Sequence, residues 1–367
     1  MRVLLLADDL VNGGMERQLS LLAANLPPEW EVRVMTMGGG AYEPYLRDRA
    51  VALAVRQRRF RLDPLAPAGL WPLLRMWRPD VVHAWSWIWA IAAGPMCRVL
   101  GIPMVNGAIR KGSVDLDYER LKRFALACAT LVVANTHAGL RAWGVRPAKG
   151  RVVYNGFDES RLAAEKEHCR RDGGPFAVVM TGRMAPEKDF DLLIEVARRL
   201  NHDSGGWSFL FLGDGPERPR LQRAARDLVD AGIVVFPESD LEVLDLVQQA
   251  DIGVLMTNPS LAREGLSNSI MEYMATGLPV VCGDGGGNAE LVLEGVTGFI
   301  VPPSDPDRLT ERLVYLRDHE DERAAMGAAG RARVLTEFSV ATMVDRMLDV
   351  YAEAMTVNRG RPPRASA

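Results

Sequence analysis

The residues most suited to chemistry lie between Glu264 and Glu272, EGLSNSIME, where two carboxylates are eight residues apart. A helix is expected to begin near Ser267. Because a helix rises about 1.5 Å per residue, the carboxylates would lie about 12 Å apart along its axis, close to the length of a nucleotide sugar from sugar ring to ribose. Amides at the helix N-terminus would face the diphosphate between them. On spacing alone, two solvated glutamates flanking a helix are the alternative.

A second cluster, Gly182-Arg183 followed by Glu187-Lys188, lies between a predicted strand and a predicted helix. Ligands of open α/β sheets gather at the carboxyl ends of the strands. A departing diphosphate gains negative charge, so fixed cations at Arg183 and Lys188 would act most strongly in the transition state. From position alone, a solvated basic loop is an equal alternative.

Three glycine turns follow predicted strands. Gly13 and Gly14 open the first predicted helix and would let backbone amides approach a phosphate or a sugar, although the full G-x-G-x-x-G pattern is missing. A plain tight turn is the alternative. A second turn is Gly285-Gly286-Gly287, and a third, Gly213-Asp214-Gly215, is expected to be structural.

Short apolar runs alternate with longer amphipathic segments along the chain. This pattern predicts parallel sheets covered by helices, and these elements would position the residues described above. The rhythm runs to residue 154, stops, and restarts near residue 177, so we predict two doubly wound domains. The predicted strands are Arg2–Ala7, Val32–Met37, Val81–Ala84, Val105–Asn106, Leu131–Ala134, Arg151–Tyr154, Ala177–Thr181, Ser208–Leu212, Val234–Phe236, Ile252–Met256 and Pro279–Cys282. The predicted helices include Glu16–Asn25, Asp189–Leu200, Arg218–Ala231, Leu241–Gln249 and Ser267–Ala275, with further helices from 307 to 355.

The domain boundaries follow from the polar stretch 158–174, which is the best candidate for a linker. We predict an N-terminal domain at 1–157 and a C-terminal domain at 158–339. A helix from about residue 340 is expected to return to the first domain, and the tail 357–367 is expected to be disordered.

The chain has 367 residues and a net charge of −3, but residues 1–160 hold 21 Lys and Arg against 14 Asp and Glu. This basic half suggests an anionic lipid surface or an anionic acceptor as a partner, with chance surface charge as the alternative. The cations form no continuous run, which argues against nucleic acid. The N-terminus reads as a strand rather than a signal peptide, and the four scattered cysteines suit a reducing cytoplasm, with the inner face of the membrane as a second location.

The acceptor-side candidates follow a predicted strand that ends near residue 84: His83, Trp85, Trp87 and, more weakly, Arg110. Aromatic faces stack on sugars or lie at membrane surfaces. The upstream run 56–61, with four arginines and Phe60, adds positive charge. Core packing of the aromatic residues is the alternative for this region.

The order of these motifs resembles family 4 of the retaining glycosyltransferases, which have the GT-B fold of two Rossmann-like domains facing a central cleft. The specific part of the resemblance is EGLSNSIMEYMATGLPVV, supported by GRMAPEKDFDLLIEVARRL, FLGDGP, GGNAELV and TGFIVPP. The first half contributes the looser matches NGGMERQ, RPDVVHAW, VVANTHAGLR and VVYNGFD.

The resemblance implies roles for single residues. Arg183 and Lys188 match the diphosphate-binding cations, while Glu264 and Glu272 match the glutamates that contact the donor sugar and the ribose. The remaining donor-side positions implied are Gly13, Gly14, Gly182, Gly265, Leu266 and Ser267. Trp85 stands where many relatives have a second histidine, and Pro237 and Glu238 replace a glycine near the base, so the acceptor contact and the base stay open.

The function expected from the resemblance is retaining transfer of a sugar from a UDP- or GDP-linked donor to a glycan, glycolipid or lipid-linked acceptor, in bacterial cell-surface polysaccharide synthesis. No resident cofactor is expected. No metal is expected either, because Arg183 and Lys188 would neutralise the diphosphate, although three D-x-D pairs occur: Asp115/Asp117, Asp189/Asp191 and Asp305/Asp307. A nucleotide-sugar epimerase and a non-catalytic sugar- or lipid-binding protein are the alternatives.

Overall fold

A computed structural model describes residues 1–11, 13–57, 66–114, 117–162, 174–203, 205–237 and 243–359. The chain divides into two compact units, each containing one parallel sheet. Unit 1 consists of Met1–Arg110, Val114–Gly156 and the segment that starts at Val340, and unit 2 consists of Lys111–Ser113 and Phe157–Ser339.

Unit 1 is a doubly wound sheet with helices on both faces. Its strands are β1 (Arg2–Ala7), β2 (Glu31–Thr36), β3 (Ala52–Val55), β4 (Val81–Ala84), β5 (Met104–Ile109), β6 (Leu131–Ala134) and β7 (Gly150–Val152). Within the described residues their order is β3-β2-β1-β4-β5-β6-β7. Its first six helices are α1 (Gly14–Asn25), α2 (Glu43–Asp48), α3 (Leu70–Trp77), α4 (Trp87–Leu100), α5 (Glu119–Cys128) and α6 (His137–Ala142), with a 3-10 turn at Ala66–Gly69.

Unit 2 repeats the arrangement. Its strands are β8 (Phe176–Thr181), β9 (Trp207–Leu212), β10 (Val234–Val235), β11 (Ile252–Leu255), β12 (Val280–Gly283) and β13 (Gly298–Val301), in the order β10-β9-β8-β11-β12-β13 within the described residues. Its helices are α7 (Phe190–Asp203), α8 (Arg218–Ala224), α9 (Arg226–Asp230), α10 (Val243–Val247), α11 (Asn268–Ala275), α12 (Asn288–Leu291), α13 (Pro306–Asp318) and α14 (Glu320–Glu337), with a 3-10 turn at Glu159–Arg161.

The alternating side chains of β1 show why the sheet of unit 1 carries helices on both faces. Val3 and Leu5 belong to one buried cluster, and Leu4 and Leu6 belong to a second. Successive side chains of a strand point to opposite faces, so a strand that is apolar at every position must be covered on both sides.

The last helix, α15 (Val340–Arg359), belongs to unit 1. Its Met347, Val350 and Tyr351 join the buried cluster that contains Val3 and Leu5. The prediction that the disordered tail begins at 357 was wrong for residues 357–359, because α15 continues to Arg359 as a helix anchored by this apolar face. The rest of the predicted tail lies outside the described residues.

The sequence predicted the long, regular elements well. The bounds of β1, β4 and β6 agree residue for residue with the predicted strands. The predicted helix Arg218–Ala231 is instead two helices that meet at Ala225. The elements α2, α3, α5, α6, α12, β3 and β13 were not predicted. β3 alternates between exposed and half-buried residues, and such an edge strand has no strong apolar signal.

Helix α11, which carries Glu272, is fixed to β11 by Tyr273. The Tyr273 hydroxyl accepts a hydrogen bond from the Thr181 amide (2.5 Å) and donates one to the Val254 carbonyl (3.2 Å). A Cβ on Gly253 would lie 2.3 Å from Cγ of Tyr273, so only glycine lets the ring approach the strand this closely.

We therefore expect Gly253→Ala to destabilise unit 2 by about 1–3 kcal/mol through overpacking and to lower its Tm by several degrees. Gly285→Ala is the matched control, because a Cβ there meets no atom within 4 Å. Thermal unfolding followed by circular dichroism measures both variants. Equal midpoints for the two variants would contradict this account of the packing.

Candidate active site

The carboxylate of Glu264 is the centre of the candidate site in unit 2. Its Oε1 accepts hydrogen bonds from Nζ of Lys188, a short contact, and from Oγ1 of Thr257 (2.9 Å). The side chains of Lys188 and Glu264 are only 15% and 18% exposed. Burial raises the pKa of Glu264, but Lys188, Thr257 and the charge of Lys111 outweigh it, and the pKa lies below its ordinary value.

The backbone of Glu264 is held as tightly as its side chain. Its carbonyl oxygen accepts hydrogen bonds from the amides of Gly112 (3.1 Å) and Gly287 (3.0 Å). Gly286 has a positive φ of 62°, and a Cβ there would lie 2.0 Å from that oxygen. The glycine turn 285–287 therefore lets the backbone approach Glu264, a role that the sequence did not indicate.

The loop that carries Arg183 and Lys188 follows β8 and is attached to neighbouring strand ends. The amide of Asp189 donates to the Met256 carbonyl (3.1 Å), and the amide of Asn258 donates to the Glu187 carbonyl (3.0 Å). These bonds connect the loop to the end of β11, where Thr257 lies. They place Lys188 against Glu264, so two motifs far apart in sequence meet at one edge of the sheet.

Arg183 lies on the same loop and is exposed to solvent. The loop backbone is supported by the turn after β9: the Met184 amide donates to the Asp214 carbonyl (2.9 Å), and Gly182 donates to the Leu212 carbonyl (2.9 Å). A Cβ on Gly213 would lie 2.1 Å from the Gly182 oxygen. The turn Gly213-Asp214-Gly215 therefore supports the loop that carries Arg183, which is a structural role as the sequence predicted.

Glu272 is buried on α11 and pairs with Arg161, whose Nη1 lies 2.9 Å from Oε1 of the carboxylate. Their side chains are 6% and 24% exposed. Arg161 falls in the stretch that the sequence presented as a linker, and the 3-10 turn that carries it is capped by Asp158. The sequence missed Arg161 because nothing local distinguishes it from the other charged residues around it.

Between the two glutamates, α11 begins after Ser267, whose Oγ accepts a hydrogen bond from the Ile270 amide (3.3 Å). Gly265, Leu266 and Ser267 are all buried, so the turn into the helix is fixed in place. The first amides of a helix have no partner within the helix, which makes this end attractive to an anion.

The aspartates of the D-x-D pairs have structural partners where they are described. Asp189 accepts a hydrogen bond from the Leu192 amide, Asp191 pairs with Arg220, Asp305 caps α13, and Asp307 pairs with Arg199. Asp115 lies outside the described residues. Across the described part of the chain, no group of three His, Cys, Asp or Glu side chains could hold a metal ion.

In unit 1, two of the four acceptor-side candidates are core residues. His83 has no exposed surface, and its Nδ1 lies 2.9 Å from the Tyr351 hydroxyl. Trp85 is 1% exposed and packs against His83. The hypothesis that Trp85 presents a ring face to a sugar is wrong for this structure, because its ring is covered. Trp87 is half-buried, with its ring against Trp143.

Arg110 is an acceptor-side candidate with unused hydrogen-bond donors, and the buried Nε1 of Trp85 and Nε2 of His83 also have no partner among the described residues. Its guanidinium lies 4.1 Å from the centroid of the Trp85 ring, and its buried Nε and Nη2 have no partner among the described residues. Burial lowers its pKa to about 10, opposed by the charge of Glu16. Buried donors without a partner are rare in folded proteins and indicate a ligand or water.

The glycine turn before α1 makes room for Glu16. Gly13 is the N-cap of α1 without a side-chain cap, and a Cβ on it would lie 2.2 Å from Oε2 of Glu16. Gly14 is exposed at the first turn of the helix. Burial raises the pKa of Glu16, and the charges of Asp8 and Asp9 raise it further. Asn12 lies outside the described residues.

Two features define the class of protein: a doubly wound parallel sheet in each unit, and a lysine–glutamate pair at the carboxyl ends of the strands of unit 2. The chain superposes on Anabaena HepE in complex with UDP with a TM-score of 0.83, at 22% identity, covering 96% of this chain and 100% of that one. The fold is therefore GT-B.

Family models match both parts of the chain: glycosyltransferase family 4 over residues 12–161 and glycosyl transferases group 1 over residues 175–319. The chain belongs to glycosyltransferase family 4.

Two curated relatives illustrate the similarity. One is the GDP-mannose-dependent monoacylated alpha-(1-6)-phosphatidylinositol monomannoside mannosyltransferase of Corynebacterium glutamicum, 32% identical over 52% of this chain. The chain spans about half the length of that relative, 51%. The other is the UDP-Gal:alpha-D-GlcNAc-diphosphoundecaprenol alpha-1,3-galactosyltransferase of Escherichia coli, 25% identical over 94% of this chain and 95% of that one.

The pair between Arg161 and Glu272 gives a stability prediction. We expect Arg161→Ala to leave a buried carboxylate without its cation and to lower the free energy of unfolding by about 1–3 kcal/mol, less than for a fully buried pair. Arg308→Ala is the control, because its pair with Glu311 is exposed. Denaturant unfolding compares the two, and an equal loss in both would show that the Glu272 pair is not special.

The lowered pKa of Glu264 gives a pH prediction. A carboxyl group with a folded pKa below its unfolded value stabilises the protein above the unfolded pKa, and the stabilisation is lost as the pH falls through the folded pKa. We expect the Tm difference between wild type and Glu264→Gln to be largest at neutral pH and to shrink below about pH 4. Thermal melts over this range measure it, and a difference that does not change with pH would refute the expected ionisation.

Proposed function

We propose that the protein is a retaining glycosyltransferase that moves a sugar from a nucleoside-diphosphate donor bound by unit 2 to an acceptor bound by unit 1. The observation that carries the proposal is the half-hidden pair of Lys188 and Glu264 at the strand ends of unit 2. Lys188 lies on the loop that also presents Arg183 to solvent.

The chemistry asked of these residues is electrostatic. When the bond between the anomeric carbon and the diphosphate oxygen breaks, charge accumulates on the diphosphate, and Arg183 and Lys188 stabilise it without a metal ion. The helix N-terminus at Ser267 adds its positive end to the same anion. Gly182, Gly265 and Leu266 leave the backbone close to the donor, and Gly13 and Gly14 of unit 1 are proposed to approach it as well.

The two glutamates hold the two ends of the donor. Glu264 orients the sugar ring through hydroxyl hydrogen bonds, and Glu272, kept in place by Arg161, accepts hydrogen bonds from the ribose hydroxyls. Carboxylates make charge-assisted hydrogen bonds, which are stronger and more directional than neutral ones.

The acceptor is proposed to be a glycan, glycolipid or lipid-linked glycan of bacterial surface polysaccharide synthesis. The names of the two curated relatives each pair a nucleotide sugar with a lipid-bearing acceptor. Their donors differ in base, GDP in one and UDP in the other, so this chain is assigned no base. In unit 1, Arg110 and Trp87 are the remaining acceptor contacts that we propose.

We expect Lys188→Ala to lower turnover about 10²–10³-fold, as for loss of one transition-state donor, with donor binding weakened less. Arg199→Ala, an exposed cation of the same unit, should leave turnover unchanged. Transfer measured with radiolabelled donor tests both, and near-normal turnover in Lys188→Ala would remove this residue from the mechanism.

The donor itself is identified by a thermal-shift screen of nucleotide sugars, with and without EDTA. A ligand that binds the folded state raises the melting midpoint by mass action. We expect one donor to raise it, with no effect of EDTA and with loss of the shift in Glu272→Ala. If conversion of donor occurs without acceptor, an epimerase is the better reading, and binding without any conversion would favour a non-catalytic protein.

A further inference from the structure

The tripeptide Lys111–Ser113 lies against the residue at the centre of the candidate active site. It belongs to unit 2, whereas the residues on either side of it belong to unit 1. The amide of Gly112 donates to two carbonyl oxygens, those of Arg263 (3.2 Å) and Glu264 (3.1 Å). Backbone hydrogen bonds to Glu264 and its neighbour therefore fix the position of the tripeptide.

Only glycine fits at position 112. A Cβ there would lie 2.6 Å from Cα of Gly286 and 2.8 Å from the carbonyl oxygen of Glu264. Both of these atoms belong to the backbone, so a larger residue would have to displace the turn 285–287 or the tripeptide itself. Close packing and hydrogen bonds thus hold the neighbouring cation, Lys111, beside the site.

The charge of Lys111 acts on the carboxylate of Glu264. Burial raises the pKa of Glu264, Lys188 and Thr257 lower it, and the charge of Lys111 lowers it further. Two of the chain's five lysines therefore act on this one carboxylate. The side chain of Lys111 is exposed, so its ammonium group is near Glu264 and also open to a ligand.

The charge balance at Glu264 leaves room for a further cation. Lys188 and Glu264 offset each other, so together with Arg183 they carry the charge of a single cation. The diphosphate of a nucleotide sugar has a negative charge on each phosphate group, and one of these charges would have no counterpart. Lys111 supplies that counterpart, and the fixed charges then match those of the ligand.

We propose that Lys111 is a donor-binding cation of unit 2 that contacts the diphosphate of the nucleotide sugar. This role deepens the proposed function and rests on it for the identity of the ligand. A lysine ammonium group is a compact charge with three donors on a flexible stem, which suits a phosphate group whose position other residues determine. With Lys111 in place, neutralising the diphosphate requires no divalent metal ion.

The sequence gave Lys111 no donor-side role, because Glu264 is far away along the chain. The positive charge that it emphasised lies at residues 56–61, upstream of the tryptophans from Trp85. Residues 58–65 lie outside the described part of the chain, and Trp85 is buried. The sequence also allowed for a membrane surface as a partner. Among the described residues, no helix is long and apolar enough to cross a membrane.

The first test is calorimetric titration of the full chain with UDP and with GDP, which requires neither acceptor nor turnover. We expect Lys111→Gln to weaken binding of the nucleoside diphosphate that the wild type prefers by about tenfold, through loss of a charge-assisted hydrogen bond. Lys111→Arg keeps the charge and should restore most of the affinity. The matched control is Lys149→Gln, which changes a lysine of unit 1 whose Nζ donates to the Ala127 carbonyl, and it should bind as the wild type does.

Equal affinities of Lys111→Gln and of the control would overturn the proposal, as would binding of neither diphosphate by the wild type. Magnesium ion tests whether the lost interaction is one of charge. Mg²⁺ bound to the diphosphate supplies positive charge that Lys111→Gln lacks, so the difference from the wild type should shrink several-fold when it is added. A defect of the same size with and without Mg²⁺ would contradict charge matching.

A measurement without ligand checks the interaction between Lys111 and Glu264. Without the charge of Lys111, the pKa of folded Glu264 should rise. The stabilisation by ionised Glu264, measured as the Tm difference from Glu264→Gln, should then be lost at a higher pH in the Lys111→Gln background. The same pH profile in both backgrounds would show that Lys111 does not act on Glu264, and it would refute the proposed position.

Transfer assays distinguish this role from the proposed function. Weakened diphosphate binding in Lys111→Gln, with no transfer by the wild type to any acceptor, would refute glycosyl transfer and leave Lys111 as a diphosphate ligand. Transfer by the wild type, with unchanged diphosphate affinity in Lys111→Gln, would refute the role of Lys111 and leave the proposed function standing.

Discussion

The structure of unit 2 depends on the need to neutralise one largely hidden carboxylate. A carboxylate removed from water is costly unless it is paired and hydrogen-bonded, and Glu264 meets this condition through Lys188 and Thr257. Thr257 follows β11 and Lys188 follows β8. The two contacts of Glu264 therefore connect adjacent strands at their carboxyl ends. Gly112 and Gly287 satisfy the backbone carbonyl in addition. Glu264 therefore connects the loops that follow β8 and β11 with the glycine turn 285–287.

This constraint bears on how a donor would bind. Lys188 already has an anionic partner, so a diphosphate would be added to an existing pair rather than to a free cation. Arg183 differs, because it is exposed and lies on a loop whose backbone is held from below by the turn after β9. In the proposed mechanism Lys188 would therefore serve both Glu264 and the diphosphate, whereas Arg183 would meet the diphosphate alone.

The features that could be predicted from the sequence are those whose pattern lies within a few neighbouring residues. The strands β1 and β4 and the helix after Ser267 were readable because apolar periodicity and capping residues lie within a few positions of each other. Arg161 and Thr257 were not, because their partners Glu272 and Glu264 are brought near by the fold. The covering of Trp85 by His83 and Arg110 was likewise invisible, since a tryptophan run has the same sequence whether it is buried or exposed.

The charges of unit 1 are not evenly spread over its helices. Residues 1–160 carry the basic excess, and α15, which also belongs to unit 1, adds Asp345, Asp349 and Glu353 against Arg346 and Arg359. These acids lie on the helix that joins the cluster of Val3 and Leu5, whereas α3, α4 and α5 pack on the opposite face of the sheet with Leu4 and Leu6. The positive charge of unit 1 is therefore concentrated on one helical layer. Because the field of a charged face acts over about a Debye length, an anionic partner near that layer would meet a positive potential that the unit as a whole does not present.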